Sequence, residues 1–538
     1  MLLHPEYDKI QISQNMTLPA IIIKTERKHG VFRLKTSYYN SMRKNKNALL
    51  LLAYIVISFF FLLLWVNVEK KLLYNTGVTD WIIRILIIAA LFFVYKFVFS
   101  FFAKHEAFLA RHKHILLWSF LVVFFVAQIC IGNQLRIIPL YDFKSVYIGA
   151  VDWVVTGDFV QFKEYFYYYP NNLGELFFLR TLFLTGSKFG ITDFYLLGMI
   201  VNALSCVGAI AFVFYTLDMK LGCKEGFFAV LLFALTPPMW LTASVFYTDS
   251  LTMIFPAAMY FLYTLAGKYK KNLHKCLLMG LMILLGMVGY FLKPTVLIIL
   301  IAIIIDLLLQ KKWKQTVTTI AVWGALFFIM TNLFHSIFYP RYLDEEKAEQ
   351  LNTPYETWVY MGLNDEFGFS GDDTAYSRSF YDPAIRKQKM REAIAERINQ
   401  RGVLGTIRHE FKKLVAAYSD GTFELSYSFQ FGLEKETWLE NYVTLLGDNY
   451  PIYWNLCAIF YYEILFLAAL STSAICYKLV RKKEYLTAQS CFPPILALFG
   501  LDLFLMIWEV HYRYTINYYP VLIMIAMLGC ANYFKRRK

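Results

Sequence analysis

About twelve stretches of this 538-residue chain are apolar over lengths near the roughly 20 residues that a helix needs to cross about 30 Å of hydrocarbon. They lie at Ala48–Val66, Trp81–Phe102, Ile115–Asn133, Phe194–Leu217, Phe227–Ala243, Ser250–Ala266, Cys276–Leu292, Thr295–Gln310, Thr316–Phe334, Tyr453–Leu479, Ser490–Trp508 and Thr515–Phe534. Backbone polar groups in lipid must be satisfied within the segment, so such runs become helices. The expected fold is an all-α polytopic membrane protein of about 12 transmembrane helices. Composition agrees: 17% of residues are charged and 58% hydrophobic, against about 25% and 45–50% in soluble domains. Soluble, disordered and nucleic-acid-binding classes are excluded.

The net charge of +14 then reports orientation, because cytoplasmic loops collect Lys and Arg. With a cytoplasmic N-terminus, one side receives Arg43, Lys44 and Lys46; Lys104, Arg111 and Lys113; Lys268, Lys270, Lys271 and Lys275; Lys311, Lys312 and Lys314; Arg481, Lys482 and Lys483; and Lys535 to Lys538. An even span count returns the C-terminus to that side. The expected setting is the cell membrane, multi-pass, with both termini cytoplasmic. The first 47 residues are polar and basic, with no early apolar core, so no cleavable signal peptide is expected. The eight cysteines show no CxxC and read as small hydrophobes.

These boundaries divide the chain into five parts. Residues 1–47 form a cytoplasmic segment, 48–114 two transmembrane helices, and 115–334 a transmembrane core whose first outer loop runs over 134–192. Residues 335–452 form an extracytoplasmic module and 453–538 the C-terminal helices. In the first outer loop, Val151–Lys163 and Leu173–Lys188 are candidate amphipathic helices of the membrane interface. The module at 335–452 carries 19 Asp+Glu against 13 Lys+Arg, with a helix expected around Ile385–Ala417.

Ionisable residues at or near membrane depth are costly, roughly 2.5–3.5 kcal/mol each at a helix centre, and so are informative. On the outer side lie Asp142, Asp249 in Tyr247-Thr248-Asp249, Lys293 in Leu292-Lys293-Pro294, and Glu509, His511 and Arg513 in Trp508-Glu509-Val510-His511-Tyr512-Arg513-Tyr514. Singly, each reads as a snorkelling side chain. Together, two acids and several bases at one depth suit glycosyl transfer from a lipid-phosphate sugar. A carboxylate serves as general base toward an acceptor hydroxyl, and Lys and Arg neutralise the phosphate leaving group. The same acids, Asp142 and Asp249, offer oxygen ligands to a divalent cation such as Mg or Mn, a second role open to the pair.

An early loop Asp, Tyr-Pro-Asn-Asn at Tyr169 to Asn172, the Tyr-Thr-Asp of the next outer loop and a late Arg-Tyr before the final span resemble the GT-C superfamily of integral membrane glycosyltransferases. Within it the chain is similar to glycosyltransferase family 39, the branch of protein O-mannosyltransferases and bacterial aminoarabinose lipid A transferases. The similarity covers roughly Ile115 to Lys538 and leaves the first two spans as an addition. The resemblance implies catalytic roles for Asp142, as base, and Asp249, near the donor or metal. It implies substrate contacts from Arg513 to a lipid phosphate, with Lys293, His511, Tyr514, Tyr169, Asn171 and Glu509 beside it. The implied partners are a polyprenyl-phosphate sugar donor and an acceptor hydroxyl on an envelope glycan, glycolipid or protein, in a lipid bilayer and without nucleic acid.

The chain departs from the pattern where many relatives have Asp-Glu, since Phe143 follows Asp142. No role for a neighbouring Glu carries over, and Asp152 reads as structural. Gly362, Gly368 and Gly371 lack the strand-to-helix context of a phosphate loop, and Asp365, Glu366, Asp372 and Asp373 miss the EF-hand spacing. His335 and His409 read as exposed loop histidines. The aromatic run Tyr165 to Tyr169 reads as an interfacial belt or a sugar platform beside Asp142. A polytopic transporter or lipid flippase is the rival class, because twelve spans suit it too. Against it, the mid-span positions are nearly uncharged apart from Asp306 and Asp502, and the two halves look dissimilar. Asp306 is near a cytoplasmic end, which leaves Asp502 as the feature the enzyme reading does not explain, and an inactive scaffold is a third alternative.

Overall fold

The computed structural model describes residues 29–69 and 78–530. Asn15-Met16-Thr17, which fits a glycosylation sequon that a cytoplasmic N-terminus would leave unused, and the Lys535 to Lys538 cluster lie outside the described residues. The chain divides at Leu49 and Leu50. The first unit holds the opening of helix α1 (His29–Glu69); the second holds the remaining helices. The longer ones are α2 (Val78–Lys104), α3 (Glu106–Gln134), α4 (Tyr141–Thr156), α5 (Leu173–Lys188), α6 (Phe194–Lys220), α7 (Cys223–Leu235), α8 (Ile254–Ala266), α9 (Asn272–Leu292), α10 (Leu297–Leu309), α11 (Trp313–Tyr342), α12 (Pro383–Ala417), α13 (Tyr450–Lys482), α14 (Tyr485–Ile507) and α15 (Tyr519–Leu528), joined by loops and shorter helices such as Tyr355–Gly362 and Gly371–Arg378. Among the described residues, β-structure is limited to one isolated bridge between Ile137 and Leu433.

Eight helices among the described residues are long and apolar enough to cross a membrane: α1, α2, α3, α6, α9, α11, α13 and α14. The other four expected spans are shorter or broken. Pro237 and Pro238 follow α7, and the chain bends there by 74° before resuming over Pro237–Ser244. Proline lacks a donor N–H and clashes with the preceding turn, so a bend is the expected result. Pro294 likewise separates α9 from the short apolar helix around α10, and α8 and α15 have 13 and 10 residues.

Burial separates the bundle's centre from its rim. In α6 and α13, 61% of the apolar window is buried against other helices, whereas in α11 only 6% is. The α11 surface, with Val317, Phe328, Ile329 and Leu333 exposed, is the kind that lipid covers. Helix α5 occupies the bounds read from the sequence, and α12 breaks at Gly402, whose φ of 67° favours glycine. The second half of α12 lies against membrane-crossing helices. Phe411 meets Phe60 of α1 edge-on at 6.0 Å, and the Tyr418 hydroxyl donates to Asp502 of α14 at 2.6 Å. His409, expected to be exposed, is buried on the Phe367 ring at 5.1 Å because α12 packs here. His335 lies half exposed on α11, 3.5 Å from Glu345.

The mid-helix acids are more numerous than Asp306 and Asp502. Asp306 accepts from Tyr263 and Gln310, both at 2.6 Å, and from Gln489. Glu463, inside the apolar run Tyr453–Leu479, is wholly buried near the middle of α13.

Glycine permits one close approach between α5 and α9. Gly174, in the first turn of α5, sits so close to the Phe291 carbonyl of α9 that a Cβ would overlap backbone atoms. Gly174→Ala is therefore expected to destabilise the protein by about 1–3 kcal/mol, as overpacking does. Gly280→Ala, with open space around it, should leave the thermal midpoint in detergent unchanged or slightly higher; scanning fluorimetry of both variants checks this.

Candidate functional site

The site forms where helices are interrupted. At one end of the bundle, the turn Thr248–Leu251 packs against the 3-10 segment Tyr512–Tyr518, while Lys293 closes α9 in extended conformation before Pro294. These breaks are tied together. The Tyr518 hydroxyl accepts from the Ile299 amide and donates to the Thr295 carbonyl, both at 3.0 Å, and the Asn517 amide donates to the Thr295 hydroxyl at 3.0 Å. Backbone groups freed by the helix breaks are thus satisfied inside the protein, the condition for irregular backbone at membrane depth.

Asp142 is placed by its neighbours. Tyr141, with a φ of 51°, turns the chain into α4, and Phe143 is buried against Phe246 at 4.9 Å within an aromatic group that includes Tyr147 and Tyr195. Asp142 then opens onto a cleft of about 120 Å³, lined also by Tyr247, Asp249, Phe423, Glu424, Tyr427 and Arg513. Its carboxylate accepts from the Tyr165 hydroxyl at 2.9 Å and, more weakly, from Tyr247 at 3.4 Å.

Asp249, buried, pairs with Lys293 and stands 3.3 Å from the Arg513 Nε. Arg513 also donates through Nη1 to Glu424 at 2.7 Å, and its guanidinium lies near the rings of Tyr247 and Tyr514. His511 Nδ1 lies 3.1 Å from the same Glu424 oxygen. The Lys293 ammonium sits 4.5 Å from the centre of the Tyr514 ring, and the Tyr514 hydroxyl donates to Glu509.

Of the residues singled out in the sequence, Asp142, Asp249 and Arg513 line one cleft, with Lys293, His511, Tyr514 and Glu509 in contact with it or with each other. Tyr169 and Asn171 do not line it. The Tyr169 hydroxyl accepts from Arg378 at 3.1 Å and its ring faces Trp358. Asn171 reaches Asp142 only through a relay, donating to Asn172, which donates to Tyr165. Asp142 and Asp249, the pair considered for a divalent cation, are engaged by phenols and by cationic side chains. Among the described residues no group of three or more His, Cys, Asp or Glu is arranged to hold a metal. The donor set does not fit one.

Three further residues belong to the site: Tyr165, Glu175 and Glu424. A lone acid between Gly174 and Leu176, in an apolar helix, is a sequence signal for Glu175; nothing in the polar, acidic run around Glu424 sets that residue apart. Glu424 is opposed by burial, but Arg513 and His511 outweigh it and hold the carboxyl down at about 2. Glu175 is wholly buried in the first turn of α5, and neither of its oxygens has a partner within hydrogen-bonding limits. Burial pushes its pKa well above the ordinary value of 4.5, and Asp249 adds to the shift while Lys293 works against it.

Membrane-length helices around a cleft of buried charge define an all-helical, polytopic integral membrane protein. One family model, described as conserved hypothetical integral membrane protein, matches residues 39–533, and the chain belongs to that family. No curated protein and no solved structure matches it.

The Glu175 shift has a pH consequence. The unfolded chain ionises this acid from about its ordinary value of 4.5 while the folded protein keeps the proton, so Glu175 weakens the fold as pH rises above that point. Glu175→Gln removes the penalty and keeps the shape. Its thermal midpoint relative to wild type is expected to rise progressively above pH 4.5; a difference independent of pH in fluorimetry across that range would refute the assignment.

Proposed function

We propose that this protein is a membrane glycosyltransferase that moves a sugar from a polyprenyl-phosphate donor to an acceptor hydroxyl, with GT-C-like architecture and up to twelve spans once the broken and short helices are counted. The observation that carries the reading is the cleft itself, where a partly exposed carboxylate, Asp142, shares the lining with Arg513, which meets the buried Lys293 through Asp249, beside helices that lipid would surround. The basic clusters put the opposite end of the bundle in the cytoplasm. The site then faces outward from the cell membrane, and both termini lie inside.

In this scheme the donor tail stays among the helices and its phosphate approaches Arg513. The acceptor oxygen attacks the anomeric carbon and passes its proton to Asp142, and the carbon–oxygen bond to the lipid phosphate breaks with its electron pair going to that oxygen. Attack from the face opposite the leaving group inverts the anomeric centre. Tyr165 and Tyr247 orient Asp142 by donating to it. Arg513 and Lys293 stabilise the charge on the departing phosphate, the role fixed cations serve best in a site shielded from water. The acceptor is an envelope glycan, glycolipid or protein. The donor's position requires a bilayer.

A transport function is favoured by the buried acids inside helices, Glu463 in α13 together with Asp306 and Asp502, since buried acids at membrane depth mark ion pathways in many carriers. The two readings part in a single assay. Purified protein given radiolabelled polyprenyl-phosphate sugars and envelope acceptors is expected to transfer label, and Asp142→Asn to lose about 10²–10⁴-fold of that rate. Undiminished transfer by Asp142→Asn removes the assigned base, and no transfer by wild type with any donor removes the glycosyltransferase reading.

A further inference from the structure

The cations of the cleft are already matched by carboxylates. Arg513 has Asp249 against its Nε and Glu424 against its Nη1; Glu424 also reaches His511, and Asp249 also holds Lys293. Two cationic side chains, Lys293 buried and Arg513 partly exposed to the cleft, therefore face two buried carboxylates. An incoming phosphate ester brings at least one further negative charge into a region where like charges repel strongly, so one carboxylate has to give way.

The two carboxylates differ in how firmly they are held. Asp249 is on the turn Thr248–Leu251, buried, and bridges cations from two separate segments. Glu424 is on a bent loop bordering the cleft, and it and Phe423 are consecutive non-glycine residues in the left-handed region, with φ of 64° and 54°. Such conformations persist only when surrounding contacts impose them. Here Asp420 supplies them, accepting from the Thr422 amide at 2.8 Å, the Thr422 hydroxyl at 2.9 Å and the Glu424 amide at 2.9 Å. The Arg513 and His511 contacts complete the hold on the side chain. A strained backbone beside open volume is the element that can move.

We propose that the Glu424 carboxylate occupies the seat of a lipid phosphate ester on Arg513 and His511, and that it swings out of the cleft when the ester binds. The seat is filled by an internal anion in the free protein, and binding is an exchange of one anion for another. Discrimination follows from that exchange. A free phosphate must displace Glu424 on charge alone, whereas a prenyl phosphate adds the burial of its tail among the helices. The identity of the anion as a lipid phosphate rests on the proposed glycosyl transfer; the competition between Glu424 and an anion does not.

The test uses full-length protein in detergent with farnesyl phosphate as probe, and inorganic phosphate and farnesol as comparison arms, read by isothermal titration. Glu424→Gln removes the competing charge. Glu424→Gly removes it and also relieves the left-handed backbone, which offsets part of the cost of losing the ion pair and makes it the second variant should the glutamine form fold poorly. Both are expected to bind farnesyl phosphate about tenfold or more tightly than wild type, with inorganic phosphate and farnesol binding far more weakly. Equal or weaker farnesyl phosphate binding by the folded variants overturns the proposal, and inorganic phosphate binding as tightly as farnesyl phosphate overturns the lipid part of it. If the variants bind more tightly yet no sugar is transferred from any donor, the seat stands and the glycosyltransferase reading falls. If transfer proceeds and the variants gain nothing, the reverse holds.

Discussion

The contact on which the site end of this protein depends is the bridge from Asp249 to Lys293 and Arg513, extended by Glu424. Its members come from four separated parts of the chain: the turn after the bent pair, the end of α9, the loop before α13 and the segment before α15. Burying any of these charges alone would cost several kcal/mol, and removing one partner of such a pair typically costs about 3–5 kcal/mol. The bridge is therefore a constraint on assembly as well as a chemical feature. The helices can be packed only in ways that bring these four segments together, and the 3.0 Å bonds from Tyr518 and Asn517 to Thr295 fix two of them against each other.

The same requirement accounts for the broken helices. An unbroken helix through Lys293 would carry its ammonium around the helix surface and expose it to lipid at some rotations. A break at Pro294 lets the chain turn extended at Lys293 and aim the side chain inward. The bend after α7 does the same for the segment that leads to Asp249, and the 3-10 stretch Tyr512–Tyr518 for Arg513. Length is lost from the apolar helices at the places where polar side chains are needed, which is why fewer helices pass a test of membrane-crossing length than the apolar runs suggest.

Hydropathy sees where apolar runs stop, and that limit decides how much of this protein is legible in its sequence. Span ends are set by those boundaries, so Asp142, Asp249, Lys293 and Arg513 can be placed at one depth without any knowledge of which helices touch. Asp142, Asp249 and Arg513 line one cleft. Tyr169 and Asn171, chosen from a short motif, lie beyond the cleft, because a motif fixes neighbours along the chain and not the direction of each side chain. Asn172 and Tyr165, close to them in sequence, make the contacts to Asp142 instead. Glu424 is out of reach for a different reason. It belongs to a polar, acidic segment where a carboxylate is unremarkable, and its importance comes from a loop conformation that no pattern of residue types encodes. Glu463 is legible, as a lone acid in an apolar run, although position along the chain says nothing of which neighbours enclose it.

The distribution of acids also bears on what the site can discriminate. Four carboxyl groups at or beside the cleft sit in three electrostatic settings: Asp142 accepts from phenols at the edge, Asp249 and Glu424 are held by cations, and Glu175 is buried behind the cleft with neither oxygen in a hydrogen bond. A base needs access to the acceptor's proton and a charge that is not already neutralised by a neighbouring cation. Of the four, Asp142 alone is partly exposed and held by phenols rather than cations, while Asp249 and Glu424 are engaged by Lys293 and Arg513 and Glu175 favours the protonated state. Under the proposed glycosyl transfer, environment rather than residue type selects Asp142 as the base. In that proposed transfer the acceptor hydroxyl lies at the Asp142 end and the lipid phosphate at the Arg513 end, with the donor's anomeric carbon between the attacking and the leaving oxygen.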